Sequence, residues 1–463
     1  MPTYTKKCIP KIAISALTLL MLGGCSTPPP VAPLSTAVPP TWSFNPMVES
    51  DSNPMAATAW WQDFGNAELN ALVESALFAN SDLRIAAVRV AQARALAGST
   101  DADRYPQLGL NAGLRRGRDS SADPKADLSY GGFRASWEPD LFGDKGLASL
   151  AAERDFESAE LARQAMRVAI AAEVMTTYFD AQFLTQREAV TRDVVVTLER
   201  QIEVAKRRFQ AGQVSKLDID RLMSELGQER AIAAQLRGGL DVKLRQLTVL
   251  LGEAKPRIGL TFPTNANGSS GMPPLLLPIE LLERRPDVRG SARAVEAAIA
   301  RLGVAKRDLY PRITLDWSGR KERLSSESSS ASPATVIGYG VALSLPIFDG
   351  GRIRANIEIH EAKAQEAMLL YEKAMLSALA DAETAVVQLA STHASVAELE
   401  RAQTAGADAA SKSERLFSAG LVDLNTVLDT RRSYLRARDG LMQGQAAQLA
   451  AAVAVRRAFA GKV

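Results

Sequence analysis

An internal duplication is the feature of this sequence that most constrains its fold. Three short motifs of the first half return in the second: Asp82-Leu83-Arg84 as Asp287-Val288-Arg289, Tyr105-Pro106 as Tyr310-Pro311, and Phe209-Gln210-Ala211-Gly212 as Phe417-Ser418-Ala419-Gly420. The first two motifs are shifted by 205 residues and the third by 208, so the register changes by only three residues. A repeat of this length indicates that both halves are built from the same succession of elements.

Each half is predicted to contain a helix, two strands, a very long helix, a tight turn and another helix. The strands are predicted where apolar and polar residues alternate, as they do around Leu108 and Leu110. They cover about 106–118 and 129–141 in the first half, and about 311–320 and 337–348 in the second. Ser-, Asp- and Pro-rich connections, typical of exposed loops, separate the strands of each pair. Strands of about ten residues have the length of tilted strands that cross a bilayer.

The long helices, predicted over about 146–211 and 352–419, contain no Pro and almost no Gly. At about 1.5 Å per residue, each would be about 100 Å long. Shorter helices follow them over about 216–251 and 424–459. Abundant Ala with a stripe of larger apolar residues favours close, antiparallel, coiled-coil-like packing. Helices of this length suit the wall of a tube, and the helices alone leave open a rod-like soluble coiled coil.

The N-terminal residues predict a lipoprotein signal peptide over 1–24. Three lysines precede the apolar run 12–22, which is too short to cross a bilayer as a helix. The run leads into Leu22-Gly23-Gly24-Cys25, the pattern that a lipoprotein peptidase requires. We therefore expect Cys25 to become the first mature residue and to carry N-acyl and S-diacylglycerol lipid, with no other cofactor. An ordinary secretory signal with an incidental cysteine is the alternative.

These patterns divide the chain into five segments. They are the signal peptide (1–24), a lipidated Pro-rich arm (25–59), the first repeat (60–255), a linker (256–278) and the second repeat (279–463). The mature arm is rich in proline, so an extended and poorly ordered tether is expected there.

Composition and charge exclude several classes of function. Cys8 lies in the removed segment, so Cys25 would be the sole remaining cysteine and no disulfide is expected. The precursor has 55 basic and 52 acidic residues, and three of the lysines lie in the signal peptide, so a neutral mature chain argues against nucleic acid. His360 and His393 have no paired ligands in the sequence, so no metal site is predicted. No arrangement of a nucleophile with a base stands out, so catalysis is not expected.

The number of strands implies oligomerisation. No segment after the signal peptide approaches 18 uncharged apolar residues, so transmembrane helices are not expected. Four strands per chain cannot close a membrane barrel, because the smallest such barrels need eight. Three copies would supply twelve strands and four copies sixteen, and the strand count leaves this choice open.

Several motifs carry a resemblance to a known family. They are Trp60-Trp61-Gln62-Asp63-Phe64, Leu69-Asn70-Ala71-Leu72-Val73, Arg284-Arg285-Pro286-Asp287-Val288-Arg289, Gly303-Val304-Ala305-Lys306 and Tyr310-Pro311. The chain resembles the outer-membrane factor family of TolC and OprM relatives, specifically the NodT-type RND efflux lipoproteins. The resemblance extends from the lipobox to the final helix. It implies a mixed fold: a homotrimer with a shared 12-stranded barrel in the outer membrane and long helices forming a periplasmic tunnel.

The resemblance also implies a function and its partners. The chain would be the exit duct of a tripartite efflux system that passively conducts small-molecule drugs or other solutes. Its partners would be a periplasmic adaptor, or membrane fusion protein, and an inner-membrane RND-type pump. Ser26 directly after Cys25 implies sorting to the outer membrane. A duct for type I protein secretion and a structural periplasmic lipoprotein are the alternatives.

Asp429 and Arg432 are the candidate gate residues. They are three residues apart on a predicted helix and therefore lie on one face. The resemblance places them where an aspartate and an arginine constrict the tunnel, with carboxylates of three chains close together. An ordinary surface pair, worth a few tenths of a kcal/mol, is the alternative. Asp218 is a further gate candidate, although the helix dipole also favours an acid in a first helical turn.

The turns after the two long helices are the candidate docking tips. Gly212 and Gly420 are predicted to be helix C-caps, because glycine tolerates a left-handed backbone. The resemblance adds that these turns form the inner tips of the tunnel. It assigns Gly212 and Ala419-Gly420-Leu421 to docking against adaptor hairpins.

Overall fold

The computed structural model describes residues 38–43, 59–117, 126–257, 260, 262, 276–326, 329–330 and 333–460. Its elements are a 3-10 helix at Trp60–Phe64, α1 (Ala67–Ala79), α2 (Ser81–Ala102), β1 (Gln107–Gly117), β2 (Ala126–Trp137), α3 (Asp144–Gln210), α4 (Lys216–Leu250), α5 (Pro278–Arg284), α6 (Pro286–Arg307), β3 (Arg312–Ser326), β4 (Ser329–Ser330), β5 (Ala334–Ser344), α7 (Arg352–Ser418) and α8 (Leu424–Phe459). The predicted order of elements therefore occurs in both halves. The predicted signal peptide and Cys25 lie outside the described residues.

The chain forms two compact units, and each draws on both halves of the sequence. The sheet unit contains Ala91–Ser158 and Ser291–Tyr371, including all the strands of the described chain. The helical unit contains Thr36–Val90, Ala159–Gly290 and Glu372–Val463. None of the helices in the described ranges combines the length and the apolar character that a membrane-spanning helix requires.

The sheet is antiparallel throughout, with the long strands in the order β1-β2-β3-β5 and short β4 paired to the end of β3. Its register places Leu110 opposite Phe133, Ala135 opposite Trp317, and Trp317 opposite Tyr339. Because side chains alternate between the faces of a strand, these residues share one face. The large exposed apolar residues of this face are Leu108, Leu110, Leu114, Phe133, Trp137, Trp317, Ile337, Tyr339, Val341 and Leu343.

The ends of three strands differ from the sequence prediction. Strand β2 spans Ala126–Trp137, where 129–141 was predicted, and β5 spans Ala334–Ser344, where 337–348 was predicted. Both end before a proline, Pro139 or Pro346, which cannot donate a ladder hydrogen bond. Strand β3 continues to Ser326, six residues past its predicted end. The polar residues there were assigned to a loop, but pairing with β2 extends the strand through them.

The first repeat was predicted to contain one helix before its strands, but the structure interrupts this helix at Asn80. The buried Asn80 side chain accepts hydrogen bonds from the amides of Asp82 (2.8 Å) and Leu83 (3.2 Å), and it donates to the Leu250 carbonyl (2.9 Å). An asparagine that caps a new helix in this way ends the preceding one.

The second repeat has its helix break at Arg285, 205 residues after Asn80. Here Asp287 Oδ1 accepts from the Val288 amide at 3.0 Å. The Arg285 guanidinium is bidentate to Asp287, with Nε–Oδ1 at 3.0 Å and Nη2–Oδ2 at 2.7 Å. Burial pushes the pKa of Asp287 up, but the hydrogen bonds and charge of Arg285 outweigh burial and hold the pKa below its usual value.

The largest apolar core lies in the helical unit. Trp60, Trp61 and Phe64 of the 3-10 helix are buried together with Tyr178. The Arg456 guanidinium lies 4.7 Å from the centroid of the Phe64 ring, in cation–π geometry. The aromatic motif at the start of the first repeat is thus a packing element that joins the N-terminal and C-terminal parts of this unit.

Candidate functional site

The turn after α3 is a glycine C-cap. Gly212 has a φ of 70°, in the left-handed region. Its amide donates to the Phe209 carbonyl at 2.9 Å, and the Gln213 amide donates to the Arg208 carbonyl at 2.9 Å. This pair of hydrogen bonds satisfies carbonyls that the end of the helix would otherwise leave without partners.

The turn after α7 repeats this geometry. Gly420 has a φ of 75°, its amide donates to the Phe417 carbonyl at 3.0 Å, and the Leu421 amide donates to the Leu416 carbonyl at 2.9 Å. The left-handed C-caps expected at both glycines are therefore present. The docking role of Gly212, Ala419, Gly420 and Leu421 stays a prediction.

The helix ends on either side of the two turns contact each other, and apolar side chains are exposed there. The Arg208 guanidinium lies 5.5 Å from the centroid of the Phe417 ring, and Arg221 hydrogen-bonds to Asn425. Leu421 is 71% exposed and Leu217 57% exposed. We call this region, the two turns with the first residues of α4 and α8, the tip. Exposed leucines beside a rigid pair of turns form a surface suited to apolar contact with a partner.

Asp218 belongs to the capping box that starts α4. Its Oδ2 accepts from the Ser215 amide (3.0 Å) and from Ser215 Oγ (2.7 Å), while its own amide donates to Ser215 Oγ (3.3 Å). At the start of α8, Asp423 plays the N-cap role by accepting from the Thr426 amide at 2.9 Å. The hydrogen bonds of Asp218 within the described chain thus go to its own helix start. Its participation in a gate stays a prediction.

The structure brings the other two gate candidates together. Asp429 Oδ1 lies 3.7 Å from Arg432 Nη1, and the Asp429 side chain is 75% exposed. Arg432 Nη2 also lies 3.4 Å from Glu225 Oε2 on α4. An exposed pair at this distance contributes little to stability, which leaves the Asp429 carboxylate free to act on charges in solution or on other chains. The gate assignment itself stays a prediction.

Sequence reasoning missed a set of charged residues that adjoins this pair through Arg432. Glu225 and Arg431 are buried, and Glu229 is half-buried. Arg187 of α3 is bidentate to Asp439 of α8, with Nε–Oδ1 at 2.5 Å and Nη2–Oδ2 at 2.9 Å. We call these five residues, together with Arg432, the ionic cluster.

The sequence contains a sign of this cluster, because two charged residues fall on the apolar faces of α4 and α8. Ile219 and Leu222 of α4 are buried, and Glu225 follows at the next position of the same face. Val427 and Leu428 of α8 are buried, and Arg431 follows in the same way. A charged residue on an otherwise apolar stripe is a candidate buried pair.

The comparisons with known proteins define the class of this fold. The family model described as Outer membrane efflux protein matches residues 72–253 and 277–461, one segment in each half. The chain belongs to this family of outer-membrane channel proteins.

Individual relatives cover nearly the whole chain. The pyoverdine export outer membrane protein OpmQ of Pseudomonas putida is 30% identical over 468 residues, which are 96% of this chain and 95% of that protein. A protein of Salmonella typhimurium named "Probable outer membrane lipoprotein SilC" is 27% identical, over 91% of this chain and 92% of its own length. A membrane protein from Pseudomonas aeruginosa with a known crystal structure is 27% identical in sequence to this chain. The two structures superpose with a TM-score of 0.84, over 94% of this chain and 100% of that one.

Proposed function

We propose that three copies of this chain form the exit duct of a tripartite efflux system and passively conduct small molecules out of the cell. One observation carries the proposal: one face of the sheet exposes large apolar side chains across all four long strands, whereas the opposite face exposes fewer of them, Leu324 and Val336. An apolar surface of this extent is unfavourable in water and suits contact with lipid. The opposite face carries Gln107, Asn111, Arg134 and Asp316, as a water-filled interior requires.

The edges of the sheet support closure by copies. Strands β1 and β5 are the free edges, each 11 residues long. Because all neighbours are antiparallel and the number of long strands is even, β1 and β5 run in opposite directions. Strand β5 of one copy can therefore pair antiparallel with strand β1 of the next copy. Three copies give a closed sheet of twelve strands.

The helical unit supplies the other contacts of the proposed duct. The tip would dock against the helical hairpins of a periplasmic adaptor, which in turn contacts an inner-membrane RND-type pump. Cys25 would carry the lipid anchor in the outer membrane. We assign the energy input and the selection of the cargo to the pump, and passive conduction to this protein.

Conductance across a planar lipid bilayer tests the proposal. Purified, detergent-solubilised protein should insert and give discrete conductance steps, while protein unfolded before addition serves as the control. Well-folded protein that stays silent would support a structural lipoprotein. Restored resistance to small toxic compounds in a strain lacking its efflux duct, without restored protein secretion, would distinguish small-molecule efflux from type I secretion.

A further inference from the structure

The strongest unexplained feature is a pair of basic residues on the apolar face of the sheet. Lys321 and Arg323 are two residues apart on β3, so their side chains lie on one face of the strand. Trp317 precedes them at an even spacing and belongs to the same face. Gly131 and Ser129 of β2 are their register partners, and both basic residues are exposed.

Neither basic residue has an opposing charge beside it. Among the described strands, Asp127 is the one acid on the apolar face, and its Oδ1 already lies 2.9 Å from Nε of Arg116. Lys321 and Arg323 have no hydrogen-bond or ionic partner in the part of the chain that the structure describes. Two neighbouring positive charges on this face therefore lack a counter-charge from the described chain.

The position of the pair along β3 corresponds to the edge of an apolar band. Ile313 is the first apolar residue of β3 on this face, near the end where α6 leads into the strand, and Lys321 follows it by eight residues. At about 3.4 Å per residue and a tilt of about 40°, this separation is about 20 Å along the membrane normal. Because the apolar band of a membrane barrel is about 25 Å tall, Lys321 and Arg323 fall at the level of the lipid head groups.

Small side chains beside the pair leave room for a ligand. A groove of about 590 Å³ is lined by both basic residues, by the small β2 residues opposite them, and by Ala112 and Leu114 of β1. The chemistry of these groups matches an anionic amphiphile. A phosphate accepts hydrogen bonds from a guanidinium and an ammonium group, and an acyl chain gains by contact with apolar side chains.

We propose that Lys321 and Arg323 bind the phosphate of an anionic lipid head group in the outer leaflet, with the acyl chains of that lipid along the apolar residues nearer the helices. The phosphate supplies the counter-charge that a basic side chain at the edge of the hydrocarbon requires. The inference rests on the proposed function for one point, that the apolar face of the sheet contacts lipid.

Native mass spectrometry of the full-length protein in detergent micelles, with lipid added, tests this site. The probes are phosphatidic acid, whose head group is an anionic phosphate, and phosphatidylcholine with the same acyl chains, whose head group is zwitterionic. The wild type should retain several-fold more phosphatidic acid than phosphatidylcholine. Lys321→Gln combined with Arg323→Gln should lose this preference, while Lys321→Arg combined with Arg323→Lys, which keeps both charges, should retain it.

Arg134→Gln combined with Arg320→Gln is the matched control, because it removes two positive charges from the opposite face of β2 and β3. It should retain phosphatidic acid as the wild type does. If the double variant of the basic pair does not assemble, the single variants Lys321→Gln and Arg323→Gln should each show a partial loss.

The inference is overturned if the wild type retains both lipids equally, or if removal of both charges at 321 and 323 leaves retention of phosphatidic acid unchanged. An equal loss in the control pair overturns it as well. Displacement of the lipid by excess inorganic phosphate would reveal a site for a free anion and contradict a lipid site. Conductance separates this inference from the proposed function: a silent wild type contradicts the duct, whereas a conducting wild type whose double variant keeps its lipid contradicts only the lipid site.

Discussion

The contacts of Asp429 within one chain do not by themselves form a gate. Its carboxylate is 75% exposed and only 3.7 Å from Arg432, so within one copy it contributes little to stability. A gate role requires that carboxylates of different copies approach one another. Repulsion among them would be relieved by arginines or bound cations, and the narrow end of the duct would depend on that balance.

Replacing Asp429 with Ala should therefore raise conductance, and it should sensitise cells to large antibiotics such as vancomycin. Single-channel recording and growth inhibition measure the two effects. Asp193→Ala is a suitable control, since Asp193 is an exposed carboxylate elsewhere in the helical unit. A variant pore indistinguishable from the wild type would remove the gate assignment.

Gly420 offers a test of the tip that involves backbone conformation alone. A Cβ at this position would meet nothing within 4 Å, but the φ of 75° disfavours any other residue. Gly420→Ala should therefore destabilise the protein by about 1 kcal/mol. Gly98→Ala is the matched control, because Gly98 lies inside α2 with equally open surroundings and no positive φ. It should stabilise by up to about 1 kcal/mol, and equal effects of the two variants in thermal unfolding would contradict the account.

At the scale of elements, the duplicated helix break is built from different residues in the two repeats. In the first, Asn80 caps α2 by itself. In the second, Asp287 is the second residue of α6, accepts from the Val288 amide, and is fixed by the largely buried Arg285, which also lies 3.4 Å from Asp381. The helix break therefore depends on an ion pair in the second repeat but not in the first.

Asp287→Asn should lower the free energy of unfolding by about 1 kcal/mol at neutral pH, since Asp287 is 43% exposed and water screens the pair. Because the pKa of Asp287 is lowered, its contribution is present above the ordinary carboxyl pKa and is lost as the pH falls through the lowered value. Denaturant unfolding at several pH values measures this loss. Asp82→Asn, at the equivalent position, should change stability by less than about 0.5 kcal/mol, and equal losses would contradict the charge-based explanation.

The sequence predicts these elements unevenly, and the reasons are physical. The long helices are predicted to within two residues at each end, because proline-free, alanine-rich runs end at glycine caps such as Gly212 and Gly420. The strand ends are wrong by up to six residues, because alternation continues past prolines and polar hairpin residues still pair. The break at Asn80 was not predicted. Its capping bonds to Asp82 and Leu83 are local, but its hydrogen bond to the distant Leu250 carbonyl cannot be seen in the sequence.

The candidate site was predictable only where its residues act locally. The helix C-caps at Gly212 and Gly420 could be predicted, because each depends only on the backbone conformation of one turn. The ionic cluster requires residues from α3, α4 and α8 to meet, and helical spacing alone identifies Glu225 and Arg431 as unusual without identifying their partners.

At the scale of the whole molecule, we expect the apolar face of the sheet to hold the protein in the outer membrane. Leu110→Arg places a charge on this face, where an arginine in lipid costs about 2–4 kcal/mol near the middle of the bilayer. The fraction of protein inserted in outer membranes should fall. Asn111→Arg, on the opposite face of the same strand, should insert as the wild type does. Normal insertion of both variants would mean that this face does not contact lipid.

We expect this chain to complete its sheet only with further copies of itself, because β1 and β5 have free edges in the part of the chain that the structure describes. Native mass spectrometry of the full-length protein, released from detergent micelles, measures the number of copies directly. The account predicts a complex of three chains. A monomer that keeps its four-stranded sheet, or a complex with any other number of copies, would contradict it.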